Sequence, residues 1–224
     1  PHKPIRKKRR GAGLLPHPDQ VDGILAHVCA RSPCRISVKV RLGVSDKSEL
    51  PRLIPVLNNH PLSEVIVHPR TAEQMYGGTA DLDAFEAAYR TLERPVCYNG
   101  DIFDPAFFQA VQERFPRIDR FMLGRGLLAN PFLCEEINGL AQNNPVQRIK
   151  AFHDDVLARY EAVLHGDRPA LGKMKEFWTY LSLHLSNGRA MFKQLKKTQR
   201  LASYKAIVSE YLAGAKWTAR SSAP

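Results

Sequence analysis

Four short apolar runs, spaced on the order of 30 residues apart with helical stretches between them, restrict this chain to a narrow set of folds. The runs are Ile36-Ser-Val-Lys-Val-Arg-Leu42, Glu64-Val-Ile-Val-His68, Pro95-Val-Cys-Tyr-Asn99 and Arg120-Phe-Met-Leu-Gly124. Each has strand length and is rich in branched or apolar residues, the pattern of a strand buried on both faces. The stretches between them read as helices. Pro18 to Ala30 carries Val21, Ile24, Leu25 and Val28 on one face, and Glu49 to Asn58 and Asp83 to Leu92 fill the next two gaps. Asp104-Pro105 opens another with a capping acid and a first-turn proline. Such alternation is that of βαβ units and implies a parallel sheet.

After Pro131 the pattern becomes helix only. Ile149, Phe152, Val156, Tyr160 and Val163 recur every three or four residues and predict one apolar stripe. Gly166 ends that helix, Pro169 stands near the start of the next (Met174, Phe177, Trp178, Leu181), and Asn187-Gly188 separates it from a third. Lys205 to Ala213 predicts a last helix, and the Ser/Ala/Pro tail is expected to fray. Residues 145–215 therefore read as a small bundle. The expected division is an α/β domain over 1–140 and a helical domain over 141–224.

Charge is distributed unevenly along these parts. The net charge is +11. Lys3, Arg6, Lys7, Lys8, Arg9 and Arg10 crowd the first ten residues, and residues 168–205 hold a second basic block whose one acid is Glu176. Two basic blocks around a slightly acidic body point to a polyanion met at two places. No run approaches the roughly 18 apolar residues of a membrane helix. The four cysteines (Cys29, Cys34, Cys97, Cys134) form no C-x-x-C pair, which gives no support to a metal site or a disulfide scaffold and suits a reducing cytoplasm.

The chemistry-bearing residues close the strands. Lys39 and Arg41 lie late in the first run, and His68, Arg70 and Thr71 close the second. Asn99, Gly100 and Asp101 close the third, and Gly124, Arg125 and Gly126 the fourth. In a parallel α/β barrel these ends face the active site. The glycines would let backbone approach a ligand closely, and loops after the last strands commonly hold phosphate, to which Arg125 would add a charged fork. Lys39, in an apolar strand, calls either for a partner such as Asp101 or for an electron-rich ring. His68 reads either as a satisfied core histidine or, beside Arg70, as a ligand contact.

The runs Ser37-Val-Lys-Val-Arg-Leu-Gly43, His68-Pro-Arg-Thr-Ala-Glu-Gln-Met-Tyr-Gly77, Asn99-Gly-Asp-Ile102 and Met122-Leu-Gly-Arg-Gly126-Leu-Leu-Ala-Asn-Pro131 resemble tRNA-dihydrouridine synthases, in that family's order and spacing. The resemblance extends from Pro1 through the helical part. It implies the C-terminal half of a TIM (β/α)8 barrel followed by a small all-α bundle. It also implies FMN as cofactor, NADPH or NADH as reductant and reduction of uridine to 5,6-dihydrouridine in tRNA, with no metal and no membrane, by a monomer when full length. Lys39 and His68 would contact the isoalloxazine ring. Asn99, Gly100, Asp101, Gly124 and Arg125 would hold the ribityl phosphate end, and Arg70 and Tyr76 would stand near the extruded nucleotide. Lys173, Lys175, Tyr180 and Lys196 match tRNA-contacting positions of the branch that modifies position sixteen of the D-loop.

Two departures accompany the resemblance. Pro69 stands where many members have glycine. The family's N-x-G-C-P motif is absent: aligning Lys3, Ile5 and Gly11-Ala-Gly-Leu-Leu15 with the segment after it makes Pro1 its proline, so the proton-donor cysteine is expected immediately before Pro1. A half-barrel of this kind is expected to pair through its open edges or aggregate. A catalytically dead RNA-binding remnant and another FMN-dependent barrel oxidoreductase stay open as alternatives, the latter leaving the basic helical block unexplained.

Overall fold

The computed structural model describes residues 6–218. Pro1, Lys3 and Ile5, which enter the alignment above, and the Ser/Ala/Pro tail lie outside the described residues. The chain divides into two compact units. One runs through Asp101 and includes Ala110–Leu123; the other comprises Ile102–Gln109 and the chain from Gly124 onward.

In the first unit, strands β1 (Ser37–Gly43), β2 (Glu64–Thr71), β3 (Val96–Tyr98) and β4 (Arg120–Phe121) form a wholly parallel sheet in the order β1-β2-β3-β4. Helices α1 (Pro18–Arg31), α2 (Glu49–Asn59) and α3 (Leu82–Thr91) occupy the connections, and α4 (Pro105–Arg114) runs between β3 and β4. The expected capping acid acts as such: Asp104 accepts from the Phe107 amide at 2.8 Å. Helix α3 begins earlier than the expected Asp83 and is capped by Asp81, which accepts from the Ala84 amide at 2.9 Å. β4 is shorter than its apolar run, although Met122 N–H still donates to Tyr98 O at 2.8 Å.

Side chains alternate between the two faces of a strand, so the register sorts the sheet. Val40, Val67, Tyr98 and Phe121 pair in one row. Along it Val67 and Tyr98 are fully buried, and Phe85 of α3 meets Tyr98 edge-on at 4.9 Å. α2 contributes Leu50, Leu53, Ile54 and Leu57, each worth roughly 1.5–3 kcal/mol on full burial. The opposite face carries Lys39, Arg41 and His68, with Arg41 and His68 directly paired.

Two sequence-based expectations fail here. β1 is not buried on both faces: Ser37 and Lys39 are exposed, and only the row containing Val40 and Leu42 is closed. α1 does not bury its apolar face as a unit. Leu25 is buried, whereas Ile24 and Val28 are 47% and 36% exposed, because the helix turns Leu25 inward and leaves its neighbours outside.

The second unit contains α5 (Arg125–Ala129), α6 (Leu133–Ile137), α7 (Pro145–Val163), α8 (Asp167–Leu181), α9 (Gly188–Leu195) and α10 (Leu201–Ala213). Leu171, Met174, Trp178, Met191, Leu195 and Val208 form the centre of its core. The face of α7 differs from the expected stripe. Ile149, His153 and Leu157 point inward, while Phe152 is 42% and Val163 71% exposed. A histidine occupies the core position because its polar atoms are satisfied: Nε2 lies 2.7 Å from the Tyr204 hydroxyl and Nδ1 2.8 Å from Asp154.

Candidate functional site at the strand ends

The sheet delivers Lys39, Arg41, His68 and Arg70 to the C-terminal ends of β1 and β2, with Asn99, Gly100 and Asp101 following β3. Asp101 is the partner of Arg70, not of Lys39. Arg70 Nη1 and Nη2 donate to its two carboxylate oxygens at 2.8 and 2.6 Å, and the Ala80 amide adds a third bond at 2.8 Å. Arg70 is buried and also donates to Gly77 O and Gly78 O at 3.3 and 2.6 Å. Arg41 Nη1 reaches Thr71 O and Met75 O at 2.7 and 2.9 Å, and its guanidinium lies 5.8 Å from the Tyr76 ring. Two arginines thus hold the backbone of the 71–78 loop, and Met75 and Tyr76 project from it, each about half exposed.

Lys39 finds no carboxylate among the described residues. The residue is exposed but its ammonium is partly desolvated against the sheet, and this, then the neighbouring Arg41, push it down to about 8. His68 is pushed down to about 3, first by burial and then by Arg41, Lys39 and Arg70, with Asp101 opposing. The imidazole is therefore neutral at physiological pH. Cys97, on the Lys39 face and paired with Ile66, is buried, and desolvation raises its thiol to about 11. It is a core residue and not an acid poised for proton transfer.

The glycines divide by surroundings. A Cβ on Gly100 would meet the Ala80 side chain and the Tyr98 hydroxyl at 3.2 Å, and one on Gly126 would fall 2.0 Å from Ile102 O. The Gly126 position is closed by backbone, whereas at Gly100 the neighbouring side chains would have to give by only a few tenths of an ångström. Gly124 is exposed with no atom within 4 Å of its Cβ position. Arg125 beside it lies 5.3 Å over the Phe103 ring. The Asn99 carboxamide donates to Met122 O at 2.6 Å and so ties the β3 end to the β4 end.

The helical unit carries the other expected contacts. Lys173 and Lys196 are exposed and Tyr180 is half-buried. Lys175 donates to Lys196 O and Thr198 O at 3.2 and 2.6 Å, so it pins the turn that presents Lys196, Lys197 and Arg200 to solvent. Lys196 Nζ lies 5.0 Å over the Phe192 ring.

A family model described as dihydrouridine synthase (Dus) matches residues 1–214. The chain belongs to the dihydrouridine synthase family. Among its relatives are a protein of Yersinia pestis named tRNA-dihydrouridine synthase B, 31% identical over 138 residues, and a tRNA-dihydrouridine(16) synthase of Cupriavidus necator, 30% identical over 186 residues. The first match covers 61% of this chain and 43% of the relative, the second 81% and 58%. A tRNA-dihydrouridine synthase B of Vibrio parahaemolyticus is 28% identical over 194 residues, covering 82% and 59%. The chain spans about half the length of the curated relatives it matches.

In this dihydrouridine synthase family member the donor set at the strand ends suits an electron-rich ring: a lysine without a described carboxylate partner, a neutral histidine, and arginines already committed to the loop. Arg41, one of the polar residues that close the strands, has no contact assigned to it by the sequence, and the structure gives it Thr71 O and Met75 O. Its position two residues after Lys39 in a strand placed both on one face and was the available signal. Among the described residues no helix is long and apolar enough to cross a membrane, and no cluster of His, Cys, Asp or Glu could hold a metal ion.

Proposed function

We propose that this chain is the flavin-binding and tRNA-binding part of an FMN-dependent tRNA-dihydrouridine synthase, reducing uridine to 5,6-dihydrouridine with NADPH or NADH as reductant. The observation that carries the reading is the cationic cluster of Lys39, Arg41 and Arg70 around a neutral His68 at the ends of parallel strands. In this reading the sheet is the C-terminal half of a TIM barrel and the helical unit a small bundle that binds tRNA.

Lys39 and His68 would contact the isoalloxazine ring, and Gly124 and Arg125 the phosphate end, with Asn99, Gly100 and Asp101 shaping that end from β3. When bound, FMN supplies hydride chemistry at C6 of the uracil. Lys39 offers a positive charge to the ring, His68 an uncharged N–H, and Tyr76 an exposed aromatic face beside the extruded base. The reading assigns the proton donor to C5 to none of the four cysteines. Lys173, Lys175, Tyr180 and Lys196 would lie at the RNA surface, and the likeness to the Cupriavidus necator protein named for position sixteen favours that uridine.

Two titrations of the full chain test this. Its affinity for tRNA should fall linearly with salt on a logarithmic plot, each neutralised phosphate adding about 0.7–0.9 to the slope. FMN should bind with quenched fluorescence, and its affinity should weaken as pH rises through about 8, where Lys39 loses its charge. Salt-insensitive RNA binding, or no flavin binding at any pH, would remove the reading.

A further inference from the structure

All five N–H groups of Arg70 have an acceptor. Nε donates to Gly77 O, Nη2 to Gly78 O and Asp101 Oδ2, and Nη1 to Asp101 Oδ1. The fifth N–H, also on Nη1, faces His68 Nε2 at 3.4 Å. Arginine carries only donors and keeps its proton throughout the accessible pH range. The imidazole nitrogen that meets it must therefore present a lone pair. A neutral imidazole has one ring proton, which is left to Nδ1.

We propose that Asp101 and Arg70 are a positioning pair that holds His68 in its Nδ1–H tautomer and so offers that N–H to the ligand of the strand-end site. Free imidazole side chains in water favour the other tautomer, so this one is imposed by the surroundings. Protonation of Nε2 would set N–H against N–H. It would also add charge to a cluster that already holds Lys39, Arg41 and Arg70, opposed among the described residues by Asp101.

The backbone of Asp101 points the same way. Its φ of +47° lies in the left-handed region, which a non-glycine residue keeps only where the surroundings over-determine it. The carboxylate is so determined, by the Arg70 fork and the Ala80 amide. The same guanidinium holds Gly77 O and Gly78 O, so the fixing of the histidine and of the loop that bears Tyr76 is one event.

The proposal deepens the flavin reading by naming the atom offered to the ligand, but the tautomer itself is readable in the ligand-free chain. A failed flavin titration therefore leaves it standing, and a wrong tautomer leaves the flavin reading standing. The test is a two-bond proton–nitrogen correlation spectrum of the full chain labelled with 15N-histidine, near pH 7, with His68 assigned by loss of its signal in His68→Gln. The expected pattern is a single neutral ring, protonated at Nδ1 and bare at Nε2. Asp101→Asn should add the Nε2–H form, Asp101→Glu should restore the single pattern, and the remaining histidine signals report that the fold is intact. Arg70→Lys, which keeps the charge but loses the fork, should also mix the tautomers. An Nε2–H ring in the unmodified chain overturns the proposal. So does an unchanged spectrum in both Asp101→Asn and Arg70→Lys.

Discussion

Arg70 grips Asp101 through two parallel hydrogen bonds of 2.8 and 2.6 Å, with 1% and 14% of the two side chains exposed. Removing one partner strands the other charge in a poorly solvated place, and breaking such a pair costs about 3–5 kcal/mol. Asp101→Ala is therefore expected to lower stability by that order in urea unfolding. Asp101→Asn, which keeps an acceptor and the shape, should cost distinctly less. Equal losses would mean that the charge carries the whole effect and that the retained acceptor and shape contribute nothing.

His68 links the site to acid stability. Its folded-state value lies near 3, below the ordinary 6.5, because burial and Arg41, Lys39 and Arg70 oppose its protonation more than Asp101 favours it. As pH falls below 6.5 the unfolded chain takes up this proton and the folded chain does not, so stability is lost progressively down to about pH 3. The loss from this group should be about 2 kcal/mol by pH 5. His153, also depressed by burial, acts in the same direction. His68→Gln should flatten the stability curve of the unmodified chain between pH 7 and 5. Parallel curves for the two proteins would place His68 outside this account.

The sheet was legible because βαβ alternation depends on residue class, and Val65, Val67 and Val96 read as buried wherever they sit. The strand ends were legible for the same reason, since charged and glycine residues stood out against apolar runs. What a given charge touches was not. Asp101 follows a strand end as a ligand contact would, and only the turn at φ +47° aims its carboxylate at Arg70, thirty-one residues away. The face of α7 failed differently: Phe152 and Val163 outrank His153 in hydrophobicity, yet His153 is buried, since tertiary partners decide whether a polar ring can enter a core.

Those partners form a chain of directed hydrogen bonds. Trp178 Nε1–H donates to the Tyr204 hydroxyl at 2.7 Å, which leaves the hydroxyl proton for His153 Nε2, also at 2.7 Å. Tyr204→Phe keeps the ring and deprives two buried groups of their partner at once. At about 1–3 kcal/mol for each unsatisfied group, the helical unit should lose several kcal/mol. Denaturation followed by tryptophan fluorescence measures this, since Trp178 is at the centre of the change. A loss under 1 kcal/mol would mean that the network relaxes and re-pairs.

Gly124 and Gly126 look alike in the sequence and should part under mutation. A methyl at Gly126 would fall 2.0 Å from Ile102 O, so backbone must move, and Gly126→Ala is expected to destabilise the protein by more than 3 kcal/mol or prevent folding. Gly124 has φ −128° and nothing within 4 Å of the added carbon, so Gly124→Ala should fold with a change within about 1 kcal/mol. If the phosphate of FMN approaches the chain there, the added methyl stands in its way, and flavin affinity should fall at least tenfold with stability kept. Unfolding measured beside a flavin titration separates the two effects. Unchanged affinity in a folded Gly124→Ala protein would move the phosphate away from this turn.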